Sequence, residues 1–195
     1  MGDTKHDAAS APGAAPDVPT DSPPSAVSLV DGLAADATSA LFEAYGLKME
    51  RDGPLASREM LARPLVSVIG FSSALLSGSL VLALPLAVAQ GTLPVPEASL
   101  ADWSGELANQ LLGRLKSKLL QYQVSINMGL PVVVSGDGIT LVTTPRQVTR
   151  HYSFSSDLGN VLIRLEMELS PDLKLERRVE ETLAAAVSEG DQLFF

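Results

Sequence analysis

The sequence predicts an α+β domain, a largely antiparallel sheet with two long helices packed on it, followed by a C-terminal helix. Three observations carry that expectation. Helical and strand-like patterns are interspersed along the 195 residues rather than segregated. Most strand-like runs fall in pairs joined by short turn-like segments, as in hairpins. Each long helical run has one apolar stripe that needs a surface to cover it.

The elements follow in order. Residues 1–26 are rich in Ala, Pro, Asp and Ser, bury almost nothing and read as a disordered tail. They lack the apolar core of a signal peptide, which points to a cytoplasmic protein. Gly2 follows the initiator Met, but the sixth position carries His6 instead of the Ser or Thr of a myristoylation signal. LVDGLAADATSALFEAYGL, 29–47, has helical spacing, with Leu33, Ala37, Ala40, Leu41 and Ala44 on one side and Gly46 as terminator. KMERDG starts a strand that leads through a loop near Pro54 into residues 64–96, which contain no charge. A run of that length and polarity resembles a membrane span. Its internal order argues instead for two buried strands, LVSVIGF and GSLVLALP, around a Ser-rich connection containing Gly78. No Lys/Arg cluster or aromatic belt flanks it. Pro85 ends the second strand, and LAVAQGTL makes one or two helical turns before Pro94 and Pro96.

A second long helix follows, with Ser99 as N-cap and Asp102 near the positive end of its dipole. YQVSINMGLPVVVSG has strand character broken at Gly129-Leu130-Pro131. SGDG, 135–138, is a turn and not a phosphate loop, since no Lys-Ser or Lys-Thr follows. RQVTRHYSFSS and GNVLIRLEMEL alternate as two long strands joined at Asp157-Leu158-Gly159. DLKLERRVEETLAAAVSEG ends the chain as an amphipathic helix with Val179, Leu183 and Val187 in register. The organisation expected is a tail over 1–26, a domain over 27–170 and a C-terminal helix or tail over 171–195. The C-terminal segment ending in Leu193-Phe194-Phe195 suits either packing on the domain itself or a tether, a partner-binding tail or an altered dimer interface.

Composition narrows the chemistry. The chain has no cysteine, so disulfides, thiolate nucleophiles and Cys-based metal sites are excluded. Of two histidines, His6 lies in the tail and His151 in an alternating segment without a second ligand at useful spacing. The net charge of -9 opposes nucleic acid and anionic lipid. At about 100° per residue, Leu100, Leu107, Ala108, Leu111, Leu115 and Leu119 form the stripe of the second long helix. Glu106, Asn109, Gln110, Gly113 and Ser117 fall on the other side. Glu106 and Asn109 are neighbours at i, i+3. A glycine inside a helix costs about 1 kcal/mol against alanine, so Gly113 marks either a close approach or a tolerant site. Spacing alone leaves this face as either ordinary solvated surface or a docking site.

The run GELANQLLGRLKSKL, followed by INMGLPVVVSG, resembles the CheX-type chemotaxis phosphatases, related to CheC and FliY. The matching positions are Glu106, Asn109, Gly113 and Lys116 on one helix, then Pro131 to Gly136 at a strand end, with the hairpin VSVIGFSSALLSGSLVLALP before them. The resemblance covers about 29–169. It implies hydrolysis of the aspartyl-phosphate of a CheY-like receiver, with Asn109 orienting the attacking water and Glu106 anchoring the helix to a receiver lysine. Gln110, Gly113 and Lys116 are the implied contact positions. It further implies no cofactor of the chain's own, Mg2+ held by the receiver, and a homodimer. Membrane insertion and nucleic acid have no place in it. The first helix offers Asp36-Ala-Thr-Ser39 and Glu43-Ala-Tyr-Gly46, neither of which repeats the motif, so one site per chain is expected. A non-catalytic receiver-binding or scaffold module of the same fold is the alternative.

Overall fold

In the computed structural model, residues 25–52, 63–136, 139 and 147–175 are described. Among these residues there are three helices and seven strands, and every strand pairing is antiparallel. Helix α1 spans Ala26–Glu43. It starts earlier than the periodicity indicated because the Ser25 hydroxyl accepts the Ser28 amide at 3.2 Å, satisfying an amide left over at the first turn. Its buried face is Val30, Ala34, Ala35, Ala37, Thr38, Leu41 and Phe42. Ala40 is only half-buried and Ala44 is exposed, contrary to the expected stripe. Fully burying Phe42 contributes about 1.5–3 kcal/mol, more than two alanines offer, so the helix turns to favour it. Gly46, at φ 75°, closes α1: Leu47 donates to the Phe42 carbonyl and Gly46 to that of Glu43, the paired bonds of a Schellman end.

Strand β1, Glu50–Arg51, is followed by the hairpin β2, Leu65–Ser72, and β3, Leu76–Leu84. The connection between them is shorter than the Ser-rich segment suggested. The Ser73 hydroxyl accepts the amides of Leu75 and Leu76 and closes the turn within three residues. Gly78 therefore lies inside β3. A Cβ there would run into the backbone carbonyl of Glu166 and the Phe71 ring, so the strand demands glycine for close packing. Pro85 ends β3 and caps α2, Leu86–Thr92, and then α3 runs from Leu100 to Leu120 with Ser99 as its N-cap. The uncharged run is thus a hairpin and a short helix, and no helix among the described residues is long and apolar enough to cross a membrane.

The strands β4, Asn127–Met128, and β5, Val132–Ser135, lie end to end on the outer edge of β2. They are not in one register. The Gly129 amide bonds the Gly70 carbonyl, whereas Val132 pairs with Val68, so Ile69 stands opposite both Leu130 and Pro131. This is a β-bulge, and it is the break expected at Gly129-Leu130-Pro131. Leu130 is the surplus residue, 89% exposed. Strands β6, Val148–Ser155, and β7, Val161–Leu169, form the other hairpin across a turn closed by the Ser156 hydroxyl on the Gly159 carbonyl. The sheet order is β1-β6-β7-β3-β2, with β4 and β5 completing the seven strands beyond β2.

Helices α1 and α3 pack together on one face of this sheet. Alternate residues Leu65, Ile69 and Phe71 of β2, with Leu80, Leu82 and Leu84 of β3, meet them in the core. Asp31 of α1 reaches the sheet, accepting the Tyr152 hydroxyl at 2.6 Å and standing 3.5 Å from Arg51 and 3.8 Å from Arg150. Burial and the Asp31 carboxylate push the Tyr152 hydroxyl well above its ordinary range, so it remains a donor. After β7, Leu173 is buried and Leu175 packs against the same core. Expectations for the tail before residue 25, the 137–138 half of SGDG and the C-terminal helix beyond residue 175 lie outside the described residues.

One cap yields a test of the backbone reading. Val124 donates to the Leu119 carbonyl and Gln123 to that of Leu120, repeating the α1 closure, but Gln123 holds φ 61° without being glycine. A side chain in that region costs about 1–2 kcal/mol. Gln123→Gly is expected to stabilise the fold by about 0.5–1 kcal/mol and raise the melting temperature by about 1–4 °C, read by thermal unfolding.

Candidate functional site

Helix α3 is held from below and from one side. Its buried residues are Trp103, Ser104, Gly105, Leu107, Ala108, Leu111, Leu112, Leu115 and Leu119. The expected stripe is present but broader, because Trp103 reaches sideways: its indole N–H donates to the Thr92 hydroxyl of α2 at 3.0 Å, and Thr92 donates on to the Val88 carbonyl at 2.8 Å. Ser104 and Ser67 of β2 share a hydrogen bond of 2.7 Å, with both residues fully buried. Gly105 faces β5, where a Cβ would stand 3.2 Å from Val133 Cγ2 and 3.5 Å from Pro131 Cγ. Two small residues in succession thus let α3 settle closely on β2 and β5.

That rotation decides where the sequence-predicted residues point. Glu106 is exposed, and Asn109, Gln110, Gly113 and Lys116 are half-buried on the outward side. Among the described residues, Asn109 and Lys116 have no hydrogen bond or ion pair, so the Asn109 carboxamide keeps its donors and acceptor for solvent or a partner. Nothing lies within 4 Å of the position a Gly113 Cβ would take, so the fold itself does not require glycine there. Ser117 returns its hydroxyl to the Gly113 carbonyl at 3.0 Å, and Lys118 lies 3.9 Å from Asp36 of α1.

Gln110 is engaged within the chain. Its Nε2 donates to Glu106 Oε1 at 2.9 Å, while its Oε1 accepts the Tyr45 hydroxyl at 2.8 Å. Tyr45 stands edge-on to Trp103, centroids 5.2 Å apart and planes at 89°. Tyr45 was not singled out from the sequence. It falls in Glu43-Ala-Tyr-Gly46, noted there only for not repeating the motif, and no local spacing links it to a helix 65 residues further on.

Among the described residues, the groups elsewhere assemble no comparable site. His151 lies on the opposite sheet face, paired in register with Arg164; burial first, then the Arg164 charge, hold it below its usual range. Arg164 forms an ion pair with Glu166, which also accepts the Ser79 hydroxyl. Among the described residues, no three His, Asp or Glu side chains gather as a metal site would need. His6 lies outside those residues.

Comparison with known proteins follows the same helix and hairpin. Residues 65–154 match the family described as chemotaxis phosphatase CheX. No curated protein sequence matches the chain. Among solved structures, the chemotaxis protein CheX from Vibrio vulnificus is 25% identical, covers 71% of this chain and 96% of its own, and superposes with a TM-score of 0.61. A CheC-like superfamily protein from Shewanella sp. PV-4 is 21% identical, with 71% and 97% covered and a TM-score of 0.62. The CheX of a CheX-CheY-BeF3-Mg2+ complex from Borrelia burgdorferi is 15% identical, with 71% and 97% covered and a TM-score of 0.58. The resemblance read from the sequence and these matches agree.

The two glycines of α3 should respond in opposite ways. Gly113→Ala fills empty space and removes the helix-interior penalty, giving about 1 kcal/mol of stabilisation. Gly105→Leu forces a side chain between α3 and β5 and is expected to cost about 1–3 kcal/mol by overpacking. Urea unfolding of both variants checks the pair.

Proposed function

We propose that this chain, whose residues 65–154 form a domain of the CheC/CheX/FliY superfamily, hydrolyses the aspartyl-phosphate of a CheY-like response regulator. The observation that carries the reading is Asn109: a carboxamide on the outer face of a rigidly seated helix, with no hydrogen bond among the described residues, one turn from an exposed carboxylate. Such a group is held in place by its backbone and still has its full bonding capacity, as a water-positioning residue requires. The Borrelia relative of the same fold, crystallised with CheY, BeF3 and Mg2+, supports a CheY-like partner.

The chemistry asks little of this chain. Asn109 would enter the receiver's site, accept a hydrogen bond from the attacking water and donate one to the phosphoryl group, placing the water in line with the scissile bond. The water oxygen bonds to phosphorus as the aspartyl oxygen departs with its electron pair. Inorganic phosphate and the free receiver carboxylate result, and the water's proton leaves with the phosphate. Mg2+ bound to the receiver supplies charge neutralisation at the phosphoryl oxygens. Glu106 would pair with a receiver lysine and fix the helix in register, while the bare helix at Gly113 leaves room for the receiver's backbone and Lys116 adds a cation at the rim. No nucleophile or metal site of the chain's own is needed.

A homodimer belongs to the same proposal, and sedimentation equilibrium at twice the 20.5 kDa chain mass would support it. The decisive experiment follows the decay of a phosphorylated receiver with this protein and with Asn109→Ala. The wild type should accelerate decay, and the variant should lose about 10²-fold or more of that acceleration while unfolding within about 0.5 kcal/mol of the wild type. Receiver binding without acceleration would mean a docking module of the same fold, and loss of activity through unfolding of the variant would remove Asn109 from the mechanism.

A further inference from the structure

We infer that Tyr45 and Gln110 are positioning residues that set the Glu106 carboxylate for docking; the inference rests on the proposed receiver phosphatase and deepens it. The polarity of the hydrogen-bond chain has one consistent assignment. A carboxylate only accepts, so Gln110 must present its Nε2 to Glu106 Oε1, at 2.9 Å. Its Oε1 is then the atom facing Tyr45, whose hydroxyl must donate, at 2.8 Å. The chain therefore runs in one direction from the Tyr45 hydroxyl to Glu106, because a flipped Gln110 amide would set its Oε1 against the Glu106 carboxylate and lose that bond.

Its far end is anchored by two independent features. The Tyr45 ring packs edge-on against Trp103, which is buried and tied through Thr92 to α2. The Tyr45 backbone lies within the Schellman turn that ends α1, where Gly46 at φ 75° and the Leu47 amide on the Phe42 carbonyl fix the local path. Tyr45 thus brings the end of one helix to bear on an exposed carboxylate of another. This is more than the fold needs, because an exposed glutamate is stable when fully solvated.

The consequence is kinetic. A free glutamate on a helix surface samples many rotamers and must give up that freedom on docking to a lysine. A glutamate bonded to Gln110 begins in one of them, which favours complex formation without touching the hydrolytic step at Asn109. The arrangement accordingly acts on KM and leaves kcat alone. It also leaves Glu106 Oε2 without a bond among the described residues, and that oxygen is the one offered to a partner.

Tyr45→Phe removes the hydroxyl and keeps the ring against Trp103. With graded phosphorylated receiver, KM for this variant should rise on the order of fivefold, with kcat within twofold of the wild type and the melting temperature unchanged. Glu106→Ala should raise KM further, and adding Tyr45→Phe to it should change nothing more, because the hydroxyl then has no carboxylate to position. A KM increase that persists undiminished in the Glu106→Ala background, or no effect of Tyr45→Phe at all, would overturn the inference. The same cycle is run in parallel on the dissociation constant for a beryllofluoride-activated receiver. A chain that binds but does not hydrolyse fails as a phosphatase, yet fivefold weaker binding confined to the Glu106 background upholds the role of Tyr45. A chain that neither binds nor hydrolyses overturns both.

Discussion

The seating of α3 on β2 and β5 is the contact on which the remaining geometry depends. It combines a fully buried Ser67–Ser104 hydrogen bond with a glycine, Gly105, lying against Val133 and Pro131. The hydrogen bond is directional and costly to leave unmade in an apolar interior, and the glycine sets how near the helix axis can come. Together they fix the helix in rotation as well as distance. Once Ser104 and Gly105 face the sheet, Glu106 must turn away from it, and the next outward positions are Asn109, Gln110 and Gly113. Apolar burial by a leucine stripe is non-directional, whereas the serine pair holds one orientation.

Much of this was legible in the sequence, and the rest was hidden for physical reasons. Helix α3 announced itself by its leucines and its Ser99 cap, and β6 and β7 by alternation. The uncharged run 64–96 was separable from a membrane span by its glycine, serine and proline punctuation. It is uncharged because β2 and β3 are interior strands, with Val66 and Val81 buried as well as the residues facing the helices. Side-chain size defeated the reading of α1, where counting apolar positions placed Ala40 and Ala44 on the buried stripe and left Phe42 off it. Gly78 looked like a turn residue because a strand glycine is required only by what lies across from it, here Phe71 and Glu166. Tyr45 and Gly105 were invisible for the same reason: their partners are distant in sequence.

The candidate site divides along the same line. Glu106 and Asn109 belong to a local pattern on one helix and were found from spacing and resemblance. What surrounds them is tertiary: Gln110 turns inward to Tyr45, Trp103 ties α3 to α2, and Lys118 approaches Asp36 on α1. A short motif can be recognised from the chain alone, whereas its stiffness depends on three helices meeting. Under the proposed reading this division suits an enzyme that borrows most of its reacting groups. With the phosphoryl group and the metal supplied from outside, its own contribution is the placement of two side chains.

The bulge between β4 and β5 has a consequence for how this surface can vary. Strand residues are read by twos, and the surplus Leu130 shifts the inward set from even to odd, so that after Met128 it is Pro131 and Val133, not Leu130 and Val132, that lie beneath α3. Removing Leu130 would leave Pro131 alone opposite Ile69 and both strands with their present faces toward α3, so the insertion is absorbed locally and shows only as a protruding leucine. Length is thus the adjustable feature of this edge: one residue can be gained or lost at position 130 while Pro131 and Val133 keep their seats under α3.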